Sequence, residues 1–305
     1  MVEDVLIPPI YASWAEQGTY GVEESPVNWL GAIQTLNPHE RNNIQRHRHA
    51  GGINYFAWTP GTKEYLFALR FKVNVGQIFH MVYGTENVTG SDPYTHTLTP
   101  KPPARFFTQE FAIPLPGTAN FFTRRFIDSK VSKCTLGLSL SDVLICDLDC
   151  VALSMATYTT KTTVSDVTTK PFSFEQCTTT VNSVAQTLLR DFSFTIDNAI
   201  KALPHIGSRE ANAHEEGGVD DTVTLDFTAK DDTLFNLMNA DPPTQFDANA
   251  KFVRTAASDE FDIQWVDVPT EDSPMPLAES GAITNALSLL PLRSQLVIID
   301  DIATY

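Results

Sequence analysis

"FALRFKVNVGQIFHMVYG", residues 67–84, begins as a strand and ends as a helix. Phe67, Leu69, Phe71 and Val73 alternate with Ala68, Arg70 and Lys72, the period-two pattern of a strand with one buried face. The period then lengthens. Val75, Ile78, Phe79 and Val82 stand at i, i+3, i+4 and i+7, the apolar stripe of a short helix, with Asn74 and Gln77 spaced as a capping box and Gly84 as the stop. The same arrangement returns 156 residues later, without a gap, as "VTLDFTAKDDTLFNLMNA" over residues 223–240. Only Leu69/Leu225, Phe71/Phe227 and Phe79/Phe235 are identical, but polarity agrees at 14 of 18 positions. In the second copy Val223, Leu225 and Phe227 alternate, Asp231 or Asp232 caps, Leu234, Phe235, Leu237 and Met238 form the stripe, and "DPP" ends it. Two strand-helix units at one interval imply a duplication.

Working outward, each half adds strands and little further helix. "THTLTP", "RFFTQEFAI", "FTRRFIDSKVSKCTLGLSL" and "ICDLDCVALSM" in the first half are matched by "TLLRDFSFTID", "AKFVRTA", "EFDIQWVDV", "AITNALSLL" and "QLVIID" in the second, separated by Pro, Gly and Asn turn chemistry. Between them "MATYTTKTTVSDVTTKPF", residues 155–172, reads as an edge strand or a linker. The expected fold is therefore mainly β (α+β), with modules over residues 1–160 and 161–305. A chain of 305 residues with 42% apolar content is long enough for two such cores.

Composition narrows the function. Net charge is −16, from 37 acids and 21 bases spread along the chain, which opposes a grip on nucleic acid through phosphates and also fits a halophilic source. No apolar run reaches the length of a membrane span, and the acidic start "MVEDVLIPPIYASW" does not read as an export signal, so no membrane role and assembly in a cytoplasm are expected. Cys134, Cys146, Cys150 and Cys177 lack metal spacing and read as small buried thiols; no cofactor is implied. Neither GxSxG, a P-loop, HExxH nor a dinucleotide fingerprint occurs, so catalysis is not expected. A glycan-binding module of a virion fibre or baseplate would share this β-rich, Thr-rich composition. Its mark would be exposed aromatics gathered on one surface, whereas Trp14, Trp29, Trp58 and Trp265 read as packing residues.

"EQGTYGVEESPVNWLGAIQTLNP", "PYTHTLTP", "SKCTLGLSL", "FSFTIDNAI" before a polar loop, and "TVTLDFTAKDDTLFNLM" together resemble, in order and spacing, the major tail tube proteins of long-tailed bacteriophages or archaeal viruses. The resemblance implies β-sandwich or β-barrel modules, each with a packed helix and a long β-hairpin. It also implies rings of copies stacked into a hollow virion tail, with tape measure, terminator and distal tail proteins as partners and DNA passing through without specific binding. Two modules per chain would let a trimer supply a pseudo-sixfold ring; one module would require a hexamer with large insertions. Two polar loops ending in Gly-Gly, "NPHERNNIQRHRHAGG" and "LPHIGSREANAHEEGG", are either ring-to-ring contacts through Arg46, His47, Arg48, His49, Arg209, Glu210, Glu215 and Glu216 or plain solvated loops. Arginines flanking His47 and His49 oppose a metal there. In "GSDPYTHTLTP", Asp92, Thr95, Thr97 and Thr99 are the candidate lumen residues, on a ribbon whose outer face reads as threonine and histidine.

Overall fold

Leu69 and Phe71 are buried and Arg70 between them is exposed, so the alternation does mark a strand with one face in a core. The computed structural model describes residues 11–50, 53–102, 104–165, 168–228, 245–255, 258–272, 284–303 and 305. The first half contains β1 (Tyr11–Glu16), β2 (Asn28–Trp29), β3 (Ala32–Arg48), β4 (Tyr55–Lys72), α1 (Phe79–Tyr83), β5 (Gly84–Gly90), β6 (Tyr94–Pro100), β7 (Phe107–Pro114), β8 (Phe121–Ser139), β9 (Ile145–Ala152) and β10 (Ser154–Tyr158). A 3-10 turn at Phe174–Gln176 then leads into β11 (Cys177–Val181) and β12 (Val184–Gln186). There follow β13 (Leu189–Asp197), β14 (Lys201–Leu203), β15 (Ala213–Glu215), β16 (Asp220–Thr228), β17 (Phe246–Thr255), β18 (Asp259–Val268), β19 (Thr270–Asp272), β20 (Thr284–Leu289) and β21 (Arg293–Asp300).

Two large antiparallel sheets face each other. In the twelve-stranded sheet β3, β4, β9, β8, β13, β16, β20 and β19 lie side by side in that order. β8 is long enough to serve two neighbourhoods: its first half pairs with β7 and β10, and β7 carries β1 and β2. Counted by chain order, the quartets β3-β4-β9-β8 and β13-β16-β20-β19 both run first, second, fourth, third. Between its second and third strands each quartet sends a hairpin, β5–β6 or β17–β18, into the seven-stranded sheet, ordered β12-β11-β17-β18-β21-β6-β5. Residues before and after 160 thus share both sheets and one contiguous core. Aromatic rings lock the inner faces together. Phe192 and Phe194 of β13 lie 6.4 and 5.5 Å from Trp265 of β18, and Phe79 of α1 lies 5.3 Å from Phe261. Neither sheet closes into a barrel among the described residues.

Several local expectations change. α1 is a single turn and a half, and all five of its residues are buried, so it is a plug between sheets rather than a striped surface helix. Asn74 does not cap it: the Asn74 amide donates to the Thr169 carbonyl at 2.6 Å and its Oδ1 accepts from the Ala32 N–H at 3.4 Å. Gly84 does end it, at φ 83°. Leu225 and Phe227 are buried on β16 as Leu69 and Phe71 are on β4; Leu234 and Phe235 lie outside the described residues. Residues 37–48, read as loop, continue β3, and in the second loop residues 201–203 and 213–215 pair as β14 and β15. The Thr-rich run begins as the edge strand β10. Cys134, Cys146 and Cys150 are buried free thiols, with the Cys134 and Cys146 sulfurs 3.7 Å apart. Trp14 and Trp265 are core residues, but Trp58 is 65% exposed.

Candidate assembly surfaces

β3 and β4 pair over their whole length, but β9 covers β4 only as far as Tyr65, where it pairs with Ala152. Beyond that point the hairpin is an arm with neither face in the core. Strands this polar pair here because the arm is braced from within the chain. The Lys63 N–H donates to the Arg209 carbonyl at 2.6 Å, and the Arg209 guanidinium donates to the Gly61 carbonyl (3.0 Å) and Asn42 Oδ1 (2.8 Å). Tyr65 donates its phenolic proton to Glu210 at 2.7 Å, and Lys63 lies 3.4 Å from Glu40 across the ladder. A methyl group on Gly61 would sit 1.8 Å from the Asn43 carbonyl oxygen, so the crossing depends on a residue without Cβ.

The arm tip is cationic and aromatic. Arg46 and Arg48 lie 5.5 and 4.3 Å from the centre of the Tyr55 ring, and His49 stacks on Phe56 at 3.9 Å. His47 Nε2 is 3.0 Å from Thr59 Oγ1. No Asp or Glu occurs from Arg41 through Lys63. The structure places Arg46, His47, Arg48 and His49 together at this tip with Tyr55 and Phe56, which the sequence did not single out, and with Trp58, which read as a packing residue. Of the second loop, Arg209 and Glu210 bind the arm, while Glu216 ion-pairs with Lys130 and accepts the Ala104 N–H at 3.0 Å; Glu215 is exposed. His214 donates to the Val151 carbonyl at 3.2 Å, and burial pulls its imidazole down to about 4.

The outer face of the twelve-stranded sheet is built from small polar and acidic residues. Thr135, Gly137, Asp147, Asp191, Ser193, Thr224 and Asp226 border a trough of about 370 Å³ together with Arg70, which lies 3.8 Å from Asp147. Burial raises the Asp147 carboxyl despite that guanidinium. The far end of the sandwich, where β8 and β13 meet β11 and β12, holds a cavity of about 450 Å³ lined by Leu138, Leu140, Phe174, Cys177 and Leu189.

On the other sheet, Thr95, Thr97 and Thr99 share the non-core face of β6, with Asp92 exposed in the turn. His96 is on the opposite face, fully buried, which corrects the reading of a threonine-and-histidine outer surface. Its Nδ1 is 2.6 Å from Glu86, its Nε2 is 2.7 Å from the Ile302 carbonyl, and Tyr305 stacks on its ring at 3.9 Å. This alternation was available in the sequence, since His96 and Leu98 share one parity and the threonines the other. Among curated proteins none matches the chain. The phage tail tube protein family matches it over residues 10–289, nearly its whole length, and the β-rich sandwich with the packed helix α1 agrees with that match. The chain belongs to the phage tail tube protein family.

Proposed function

We propose that the protein serves as a structural component of a virion tail tube, that its copies close into rings that stack into a hollow tail, and that the channel through which the genome passes is walled by the outer face of the twelve-stranded sheet. One observation carries this: the sheet has an apolar face in the core and a face directed away from it on which Thr, Ser, Gly and Asp surround Arg70, itself beside Asp147. A wall of that composition offers phosphates no cations in excess and repels them through its carboxylates, so DNA slides without sticking. The open edge of β3 is then satisfied by a neighbour in the ring.

The repeated strand order supports the duplication, with tube modules over residues 1–160 and 161–305 and a trimeric, pseudo-sixfold ring. Three chains contribute roughly 24 strands, and at about 4.8 Å between strands these enclose a circle roughly 37 Å across before tilt widens it. Such a barrel clears a DNA duplex. A true hexamer would double the circumference and leave the duplex unguided. Arg46, His47, Arg48 and His49 on the arm, with the exposed Glu215, are assigned to the contact between rings, Arg209 and Glu210 to bracing the arm, and Glu216 to holding β15 against Lys130 of β8. Tape measure, terminator and distal tail proteins complete the tail, assembled in the host cytoplasm.

Electron microscopy of the purified chain tests this: annular particles with threefold averages and six lobes support it, and persistent monomers or six identical subunits overturn it. Cysteine at position 193 or 97, probed with a bulky maleimide on intact tubes, separates the two candidate walls. Protection of Ser193→Cys with labelling of Thr97→Cys supports the sheet face; the reverse pattern assigns the channel to the ribbon of Asp92, Thr95, Thr97 and Thr99. The arm aromatics are the feature an adhesion module would also display, but membership of the tube family favours assembly.

A further inference from the structure

Among the described residues, two apolar surfaces stand exposed at opposite ends of the molecule. At the arm tip, Ile44 is opposite Pro60 and Arg46 opposite Trp58, so all four share one face of the ribbon, with Ile44 54% and Trp58 65% exposed. At the other end, Leu140 (60% exposed) and Phe174 rim the cavity of about 450 Å³, a volume that accepts an indole. The register fixes their separation. Lys72 is opposite Ile145, Ile145 opposite Gly137, and Ser139 opposite Asp191, so the cavity lies where β4 ends, while the tip lies where β4 begins. That is about 17 residues of strand, or roughly 55 Å, so an arm cannot reach its own cavity.

We propose that the arm tip of one copy seats Trp58 and Ile44 in this cavity of a copy in the next ring. The inference rests on the ring-stacking reading and names the receptor for the arm. Charge favours this occupant over others: the stretch from Arg41 through Lys63 carries four bases and no acid in a chain of net charge −16. The receiving end presents Glu175 at the cavity and Asp142 and Asp191 in the adjoining trough, against Arg190 and Arg70. A knob at one end and a hole at the other make a heterologous contact, which repeats without limit along one axis and so builds length rather than closing a dimer.

The test uses Trp58→Glu as a tip variant and Leu140→Glu as a cavity variant, both at exposed positions, with circular dichroism melts confirming folding. Glu175→Lys, a rim change, replaces Leu140→Glu should that variant unfold. Each variant alone is expected to form rings but no tubes, with the critical concentration for stacking raised roughly 30-fold or more. Rings of the two variants, prepared separately and mixed, are expected to give pairs of rings and nothing longer, because only the intact tip of one fits the intact cavity of the other. Normal tubes from the cavity variants, or a mixture that stays as single rings, would overturn the proposal while leaving ring formation intact. A wild-type chain that forms no rings would overturn both.

Discussion

Arg125 joins three elements through one guanidinium. It donates to Glu110 at 2.6 Å and Thr162 Oγ1 at 2.8 Å, ion-pairs with Glu23, and lies 4.4 Å from the Tyr158 ring. Glu110 is buried, so Arg125→Leu strands a carboxylate and should cost about 3–5 kcal/mol in urea unfolding. A loss below about 1 kcal/mol would mean the pair behaves as a surface one. Asp221 has the opposite sign. Burial, with Asp220 adding to it, pushes its carboxyl from 3.8 up to about 6, so between these values the folded chain binds more protons than the unfolded. Its contribution is therefore most favourable below pH 4 and is lost as pH rises through about 6. Asp221→Asn should stabilise the protein by at most about 3 kcal/mol at pH 8 and change little at pH 4. Melts showing the same increment at both pH values would refute this. At this scale the sequence was most legible where one face is buried, as at Leu69, Phe71, Leu225 and Phe227. Neither carboxylate partner of Arg125 could be found, because Glu23 lies 102 residues away in the loop between β1 and β2 and Glu110 lies 15 residues away on β7.

Elements were legible in proportion to how much core they touch. β4 shows a clean alternation from Tyr65 onward and none before it, since only the later residues have a buried side; the sequence pattern therefore marked only its second half as a strand. On β3, Asn37, Pro38 and Asn42 are poor strand formers, yet they pair with β4, the loop carrying Arg209 holds the Asn42 side chain, and Asn43, at a break in the register, is held by its amide on Thr62 and Glu64. α1 was shorter than its pattern because Val75 to Ile78 form a turn into the core and the Asn74 side chain is committed elsewhere. Gly61 follows from this. Gly61→Val should disturb the ladder on both sides of the irregularity at Asn43, where Asn42 is opposite Lys63 and Ile44 opposite Pro60, and raise amide exchange in residues 40–62, while the global melting temperature, set by the buried strands, moves little. Unchanged exchange in the arm would show that the ladder tolerates a side chain there.

At the scale of the molecule, the 156-residue repeat is visible in the text and the shared strand order accompanies it, but the interleaving is not visible at all. Strand order across a sheet depends on pairings far apart in the chain, such as β8 with β13 and β6 with β21, and nothing in either segment's composition names its partner. The consequence is physical. If the chain is divided in the Thr-rich run near residue 160, residues 1–160 lose β13 from the exposed edge of β8 and β21 from β6, while residues 161–305 lose the neighbours of β13 and β21 and the Phe79–Phe261 contact. Each piece would then present long unpaired edges beside half of the core, the conditions under which β chains aggregate. Separately expressed halves should therefore be insoluble or unfolded, and co-expressed halves should recover a soluble complex with near-native circular dichroism. A soluble, cooperatively melting 161–305 fragment would show instead that the second module completes its own core, and that the cross-pairing seen here is an association of two finished domains.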